Sequence, residues 1–353
     1  MDAHLHLLEH SAAPETGKET RAGADAGSRV PRIHEAAMMK GLNSTAKQPP
    51  GTGLLLPSRE VLLWRESDLA FVIDAARRAE NSGYDSVWVG DSLLARPRGE
   101  PLTLLAAVAG ATKRVALGTA VLLPLLRHPI SMAHAVATLD RLAEGRVILG
   151  IGPGAELPGT HAELKALGVP SDRRVGDMLT AVERCRRLWR NEEPGIELNP
   201  RPTRADGPPI WLGGGGPRML RLAGSIFDGW LPLSPTPADY ESGLRAVREG
   251  AEQAGRDPDG VATAAYLTVA ISDTPDDAAR QLDGYIGAYY GAPAEVMART
   301  MACHAGTLES AAEWFAAYRA AGARHLVLRL ARPDLSDYNE SVTALLGAAQ
   351  TRN

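Results

Sequence analysis

From Gly53 onward the chain alternates between two hydrophobic patterns. Short apolar and β-branched runs bounded by turn residues predict strands at Gly53–Pro57, Ser86–Asp91, Val115–Leu122, Arg146–Gly152, Pro209–Gly213, Gly229–Leu233, Thr263–Ile271 and His325–Leu330. Between them, apolar residues recur every three or four positions and predict helices. These cover Ser67–Asn81, Leu102–Ala111, Pro129–Ala143, Ser171–Arg190, Pro217–Ala223 and Pro237–Ala254, two helical pieces within Asp276–Ala321, and a last helix near Asp337–Ala349. Ser67 and Asp68 offer an N-cap to the first of these, and Gly83 closes it. A strand followed by a helix, eight times over, predicts an α/β chain folded as a (β/α)8 TIM barrel.

Two stretches lengthen the barrel: Gly154–Pro170 after strand four, and the segment between strands seven and eight, which carries Tyr285, Tyr289 and Tyr290. Long connections after strand ends commonly cover a site. The connection Asn191–Pro208 follows a helix and belongs to the opposite face. The first 50 residues lack sustained periodicity and are rich in Ala, Gly, Glu, Ser and Thr, which predicts a disordered extension ahead of a barrel domain spanning 51–353. Met38 or Met39 is an alternative start, and His4, His6 and His10 look faintly metal-like, but no acid or cysteine cluster completes a site and they read as part of a solvated tail.

Composition removes whole classes of function. A net charge of −4 over 353 residues leaves no electrostatic footprint for nucleic acid. Cys185 and Cys303 stand far apart without metal-ligand spacing, which fits a reducing cytoplasm. No apolar run has the length of a membrane span, and the N-terminus lacks the pattern of a signal peptide.

In a barrel of this kind the chemistry sits at the C-terminal ends of the strands. Those ends read Pro57-Ser58-Arg59, Gly90-Asp91-Ser92, Gly118-Thr119-Ala120-Val121, Gly152-Pro153-Gly154-Ala155-Glu156, Gly213 to Gly216, and Leu233-Ser234. They are rich in glycine and hold no Lys or Cys. Lys113 lies just before a strand, at the wrong end for a Schiff base. Glycines at strand ends instead let a planar cofactor and its phosphate approach the backbone. Gly213-Gly214-Gly215-Gly216 runs from a strand end into Pro217, which suits a first helical turn whose free N–H groups bind a phosphate. Gly150-x-Gly152-x-Gly154 lacks the last spacing of a dinucleotide fingerprint and lies in the fourth unit.

Several segments together resemble the luciferase-like flavin and deazaflavin oxidoreductases, over roughly Gly53 to Ala331. They are Gly83-Tyr-Asp-Ser-Val-Trp-Val-Gly-Asp91, Leu117-Gly-Thr-Ala-Val121 with Arg127-His-Pro129, Leu139-Asp-Arg-Leu-Ala-Glu-Gly-Arg146 running into Ile148-Leu-Gly-Ile-Gly152, Pro209-Ile-Trp-Leu-Gly213, and Asp228-Gly-Trp230. The resemblance implies a reduced flavin or deazaflavin over the strand ends. Asp91 and Ser92 would border its ring, with Thr119 and a non-prolyl cis peptide at Ala120–Val121 behind it. Gly152 and Gly154 would approach its ribityl chain and Gly213, Gly214, Gly215 and Gly216 its phosphate. The Gly-Gly-Pro form of the run resembles the coenzyme F420 branch, which implies hydride transfer to or from a small organic substrate. The alternatives are an FMN-dependent monooxygenase using O2, supplied by a separate flavin reductase, and a non-catalytic flavin-binding barrel. A homodimer is implied as well. Two departures stand out: relatives that oxidise sugar phosphates have His where this chain has Ser92, and Glu where it has Ala155.

The candidate catalytic set is therefore Asp91, Ser92, His128 and Glu156. His128 reads either as a proton donor or as a loop histidine at a helix start, and Glu156 either as a general base or as an exposed acid. Arg127 is placed to pair with an anion. Arg329 alternates with Leu328 and Leu330, which points it into the barrel mouth toward a phosphate or an acidic tail. Trp88, Trp211 and Trp230 read as core.

Overall fold

The computed structural model describes residues 51–64, 69–332 and 334–350. The extension before Gly51, its histidines and the Ser67–Asp68 cap lie outside the described residues. The strands are β1 (Gly51–Leu55), β2 (Ser86–Val89), β3 (Ala116–Thr119), β4 (Val147–Ile151), β5 (Ile210–Leu212), β6 (Gly229–Trp230), β7 (Ala262–Ile271), β8 (Ala302–Gly306) and β9 (His325–Leu330). The helices are α1 (Ala70–Ser82), α2 (Pro101–Ala111), α3 (Pro129–Leu142), α4 (Pro158–Ala166), α5 (Arg174–Trp189), α6 (Pro217–Ile226), α7 (Pro237–Gln253), α8 (Pro275–Tyr290), α9 (Leu308–Ala320) and α10 (Tyr338–Gln350). Eight parallel strands close into a ring in which β6 pairs with β7, β7 with β9, and β9 with β1. This is the (β/α)8 barrel that the alternation predicts.

Local chemistry explains the helix starts. Helices α2, α3, α4, α6, α7 and α8 each place a proline in the first turn, where its missing N–H costs nothing and its φ is already helical. Thr236 and Thr274 cap α7 and α8 by accepting the N–H groups of Asp239 and Asp277. Gly83 ends α1 at φ 99°, a left-handed position that suits glycine. None of the helices among the described residues is long and apolar enough to cross a membrane.

One strand escapes the sequence pattern. The segment Asp276–Ala321, read as two helical pieces, contains α8, a single helical turn at Ala294–Met297, β8 and α9. Strand β6 has only two residues, so β7 outruns it, and β8 pairs in parallel with Leu267–Ile271. Met301-Ala-Cys-His-Ala-Gly306 has little β-branched or alternating character; open edge groups on β7 make it a strand. The connection Gly154–Pro170 likewise holds a helix, α4.

Two apolar layers stabilise the barrel. The larger lies between strands and helices, and a smaller one fills the interior with Leu55, Trp88, Ile148, Trp211, Leu231, Ala264, Tyr266 and Val327. Trp88 and Trp211 face each other at 5.4 Å between ring centroids and have room only because neighbouring strands carry glycine. A Cβ on Gly118 would stand 2.0 Å from the Trp88 ring, and one on Gly229 would stand 2.5 Å from Trp211. Trp230 packs outside the ring, stacked on Tyr240.

On β9, His325, Val327 and Arg329 face inward, which puts histidine at the barrel floor and arginine at its mouth. His325 lies against Trp88 and Trp211 and shares a 2.7 Å hydrogen bond with the Ser86 hydroxyl. Burial pushes its pKa down from 6.5 to about 3, so it is neutral in the fold. Below pH 6.5 the unfolded chain takes up a proton that the folded one refuses. Stability held above that pH is therefore lost as pH falls, by about 2 kcal/mol at pH 5 from this group. Denaturant unfolding of the wild type and of His325→Gln should show this loss only in the wild type; equal acid slopes would remove the assignment.

Candidate active site

The C-terminal ends of the strands surround a cleft of about 350 Å³, with three chemically distinct walls. The first is built on β2. Asp91 follows its end, and the carboxylate is 1% exposed. Its oxygens accept two N–H groups of Arg127 at 2.6 and 3.0 Å and the Leu123 N–H at 2.9 Å. Arg127 also donates to Glu100 at 2.7 Å. Burial disfavours the guanidinium charge, but the hydrogen bonds and charges of Asp91 and Glu100 outweigh it and raise the pKa of Arg127. Asp91 therefore anchors the loop after β3, with three of its roughly four lone-pair positions taken by these donors. Ser92 is buried, donates toward Glu163 at 3.4 Å and accepts the Arg96 N–H at 3.0 Å.

Glu163, on α4, holds the loop after β2 in place. One of its oxygens accepts the N–H of Leu93, that of Leu94 at 2.5 Å and that of Ala95 at 3.4 Å. A carboxylate gathering several backbone donors works like a helix cap across chain segments. Nothing in its sequence neighbourhood announces this, because its helix lies in a connection read as a loop.

The second wall is backbone. Ala120 and Val121 line the cleft and the bond between them is cis, as the resemblance implies. Val121 reaches between the ends of β4 and β5, where a Cβ on Gly152 would come within 2.8 Å of it and one on Gly213 within 3.1 Å. Gly154 takes φ 82°. Thr119 is fully buried, and its hydroxyl donates to the Gly150 carbonyl at 2.6 Å, so it serves the β3–β4 joint and does not line the cleft. The glycine run continues outward: Gly213 and Gly214 line the cleft, while Gly214 and Gly215 line a groove of about 920 Å³ between α6 and α7. Gly216 is the N-cap residue of α6. A Cβ added at Gly215 or Gly216 would meet nothing within 4 Å. The Trp230 ring N–H donates to the Gly214 carbonyl at 2.9 Å, and Asp228 accepts the Ile210 N–H at 2.8 Å. Asp228-Gly-Trp230 and the glycine run are thus one physical unit.

The third wall is cationic and aromatic. Arg329 is 1% exposed, donates to Thr268 and to the Tyr290 hydroxyl at 2.8 Å, and lies over the rings of Tyr266, Tyr285, Tyr289 and Tyr290. Arg96 and Arg98, from the loop after β2, line the same wall with Tyr289 and Tyr290. Both arginines were visible in the sequence as Arg96-Pro-Arg98, but only the fold sets them beside Arg329.

Two expected residues stand apart from the cleft. His128 is exposed at the start of α3, its side chain makes no cap, and it is not in the lining. The Glu156 carboxylate is 72% exposed at the rim, paired with Arg174 and with His161 at 2.6 Å.

Comparison with known proteins follows the same outline. A family model described as luciferase-like monooxygenase matches residues 51–325. A 5,10-methylenetetrahydromethanopterin reductase from Methanolobus tindarius is 32% identical over 203 residues, covering 56% of this chain and 60% of that protein. A phthiodiolone/phenolphthiodiolone dimycocerosates ketoreductase from Mycobacterium bovis (strain BCG / Pasteur 1173P2) is 34% identical over 255 residues, covering 62% of this chain and 66% of that protein. The chain thus spans less than two thirds of the length of these curated relatives. Among solved structures, an F420-dependent secondary alcohol dehydrogenase in complex with an F420-acetone adduct superposes with a TM-score of 0.71 at 22% identity, covering 86% of this chain and 100% of that one. That likeness speaks for the fold.

Proposed function

The chain belongs to the luciferase-like monooxygenase family, and on that premise we propose that it is an oxidoreductase working through coenzyme F420 on a small organic substrate. The observation that carries this reading is the joint between the glycine run and Asp228-Gly-Trp230. It forms a rim over which a long cofactor can pass from the cleft into the groove between α6 and α7. The open space at Gly215 and Gly216 and the N-terminus of α6 suit a phosphate there. The Gly-Gly-Pro form of the run favours F420 over FMN.

In this reading the bound deazaflavin supplies hydride transfer, and the chain's own residues supply binding and orientation. Val121, seated between Gly152 and Gly213, would give the ring an apolar backing. Asp91, held by Arg127, keeps the loop after β3 from drifting. Ser92 and the backbone of Gly152 and Gly154 stand at the cleft edge as polar contacts. Tyr290 accepts an N–H from Arg329, which leaves its own hydroxyl hydrogen to donate; burial raises its pKa, so the proton stays in place at neutral pH.

Fluorescence titration of the purified chain with F420 and with FMN tests the reading. Micromolar or tighter binding of F420, with FMN at least about tenfold weaker, is the expected result. The reverse preference would transfer the reading to a monooxygenase fed with reduced FMN, and oxygen consumption would become the assay. Binding of neither would end it.

A further inference from the structure

We infer that the substrate carries an oxyanion, a carboxylate or a phosphate ester, which seats against Arg96, Arg98 and Arg329. The inference rests on the cleft being the reaction site. Four guanidiniums gather on this side of the barrel mouth, from Arg59 after β1, Arg96 and Arg98 after β2, and Arg329 on β9. Among the described residues, the carboxylate packed into this group is Glu60, and it is engaged. One of its oxygens accepts the Tyr285 hydroxyl and the other the Arg59 backbone N–H at 3.2 Å.

Three of the wall's tyrosines do not supply the missing negative charge. Burial raises the pKa of Tyr266, Tyr285 and Tyr290, so they are neutral hydroxyls. Two of the four hydroxyls are turned into donors by the arginines themselves. Arg98 donates to Tyr289 at 2.7 Å and Arg329 to Tyr290 at 2.8 Å, leaving each hydroxyl hydrogen free to point elsewhere. The wall therefore presents N–H and O–H donors in excess of acceptors.

Some of these donors are stranded. Arg98 is half-buried and its Nε, itself buried, has no partner; Arg59 is buried, with both Nε and Nη1 lacking one. Burying charge with few hydrogen bonds is costly, and an anion in the cleft, where Arg96, Arg98 and Arg329 line the wall, would offset that cost. The backbone is shaped to keep Arg98 there. A Cβ on Gly90 would stand 1.9 Å from its Nη1, so glycine at the end of β2 is what lets the guanidinium lie against the strand. A planar fork of N–H groups matches the two oxygens of a carboxylate or phosphate.

The site is distinct from the cradle proposed for the cofactor phosphate. Strand order places β5, which leads into the glycine run, across the ring from β1 and β9. A substrate bridging the cleft would have its anionic end at Arg329 and its reacting carbon nearer the Val121 wall.

Calorimetric titration of the full chain with inorganic phosphate and with glutarate, alone and saturated with F420, tests this. The expected result is binding of at least one of the two. Arg96→Gln and Arg98→Met should each weaken it by about tenfold or more. Phosphate preference would indicate a phosphate ester, and glutarate preference a carboxylate. Arg96 is half-buried on a loop, so its variant carries the test even if Arg98→Met fails to fold. Absence of binding by both anions, affinity unchanged in Arg96→Gln, or displacement of F420 by saturating anion would each overturn the inference. Displacement would mean that the arginines hold the cofactor's tail. Anion binding by a chain that binds no F420 would leave the inference standing and remove only the coenzyme assignment.

Discussion

Gly215→Asp is expected to weaken coenzyme binding by more than about a hundredfold, roughly 2.7 kcal/mol, while leaving the fold intact. The two halves of this expectation have separate causes. A Cβ at Gly215 meets nothing within 4 Å, and its φ is not among the positive ones, so the substitution is sterically free. A carboxylate two residues before Pro217 also interacts favourably with the positive end of α6, which adds a few tenths of a kcal/mol to stability. The same charge occupies the place a phosphate would take and repels it. Titration should therefore show lost binding alongside an unchanged or slightly higher melting temperature. Unchanged affinity would remove the phosphate cradle from the glycine run, and a lowered melting temperature would show that the turn needs glycine for its own sake.

The second large effect concerns Asp91. Asp91→Asn keeps the shape of the side chain but leaves the Arg127 guanidinium facing an amide, with Glu100 as its remaining acid. Breaking a buried charge pair by removing one partner costs about 3 kcal/mol. For a chain of this size that corresponds to a fall in melting temperature of roughly 4–5 °C. Arg127→Met and the double variant complete the cycle. Because each single change strands the other partner, the double variant should lose clearly less than the sum of the two. Additive losses, or a shift within about 1 °C for Asp91→Asn, would mean that the pair does not hold the loop after β3.

These predictions differ in how far the sequence alone leads to them. Gly215 is legible, because a glycine run between a strand pattern and a proline-initiated helix has few other uses. Asp91 is legible as a strand-end acid, but not as half of an ion pair. Its partner lies 36 positions away, beyond a helix, a strand and a turn. His128 and Glu156 show the converse: both stand near strand ends in the sequence, yet one caps nothing at a helix start and the other is an exposed acid paired with Arg174 and His161. Proximity to a strand end sets which rim a residue occupies; the local turn sets whether it faces the cleft.

The same division runs through the whole molecule. Period-two alternation on β9, with Leu326, Leu328 and Leu330 outward and His325, Val327 and Arg329 inward, is written in the chain and requires no partner to read. So are the helix starts at proline, the αL closure at Gly83 and the repeat of strand and helix that specifies the barrel. These are local preferences, decided within a few residues. What ring closure alone decides are the meetings of distant side chains. Glu163 takes the Leu93 N–H across 70 positions, and Arg98 reaches Tyr289 across 191. Strand β8 belongs to this second class too, since the unpaired upper half of β7 makes it a strand. Local sequence chooses the elements and their inward faces; closure of the sheet chooses which charged groups share a buried wall, because only then do their desolvation and mutual hydrogen bonds exist.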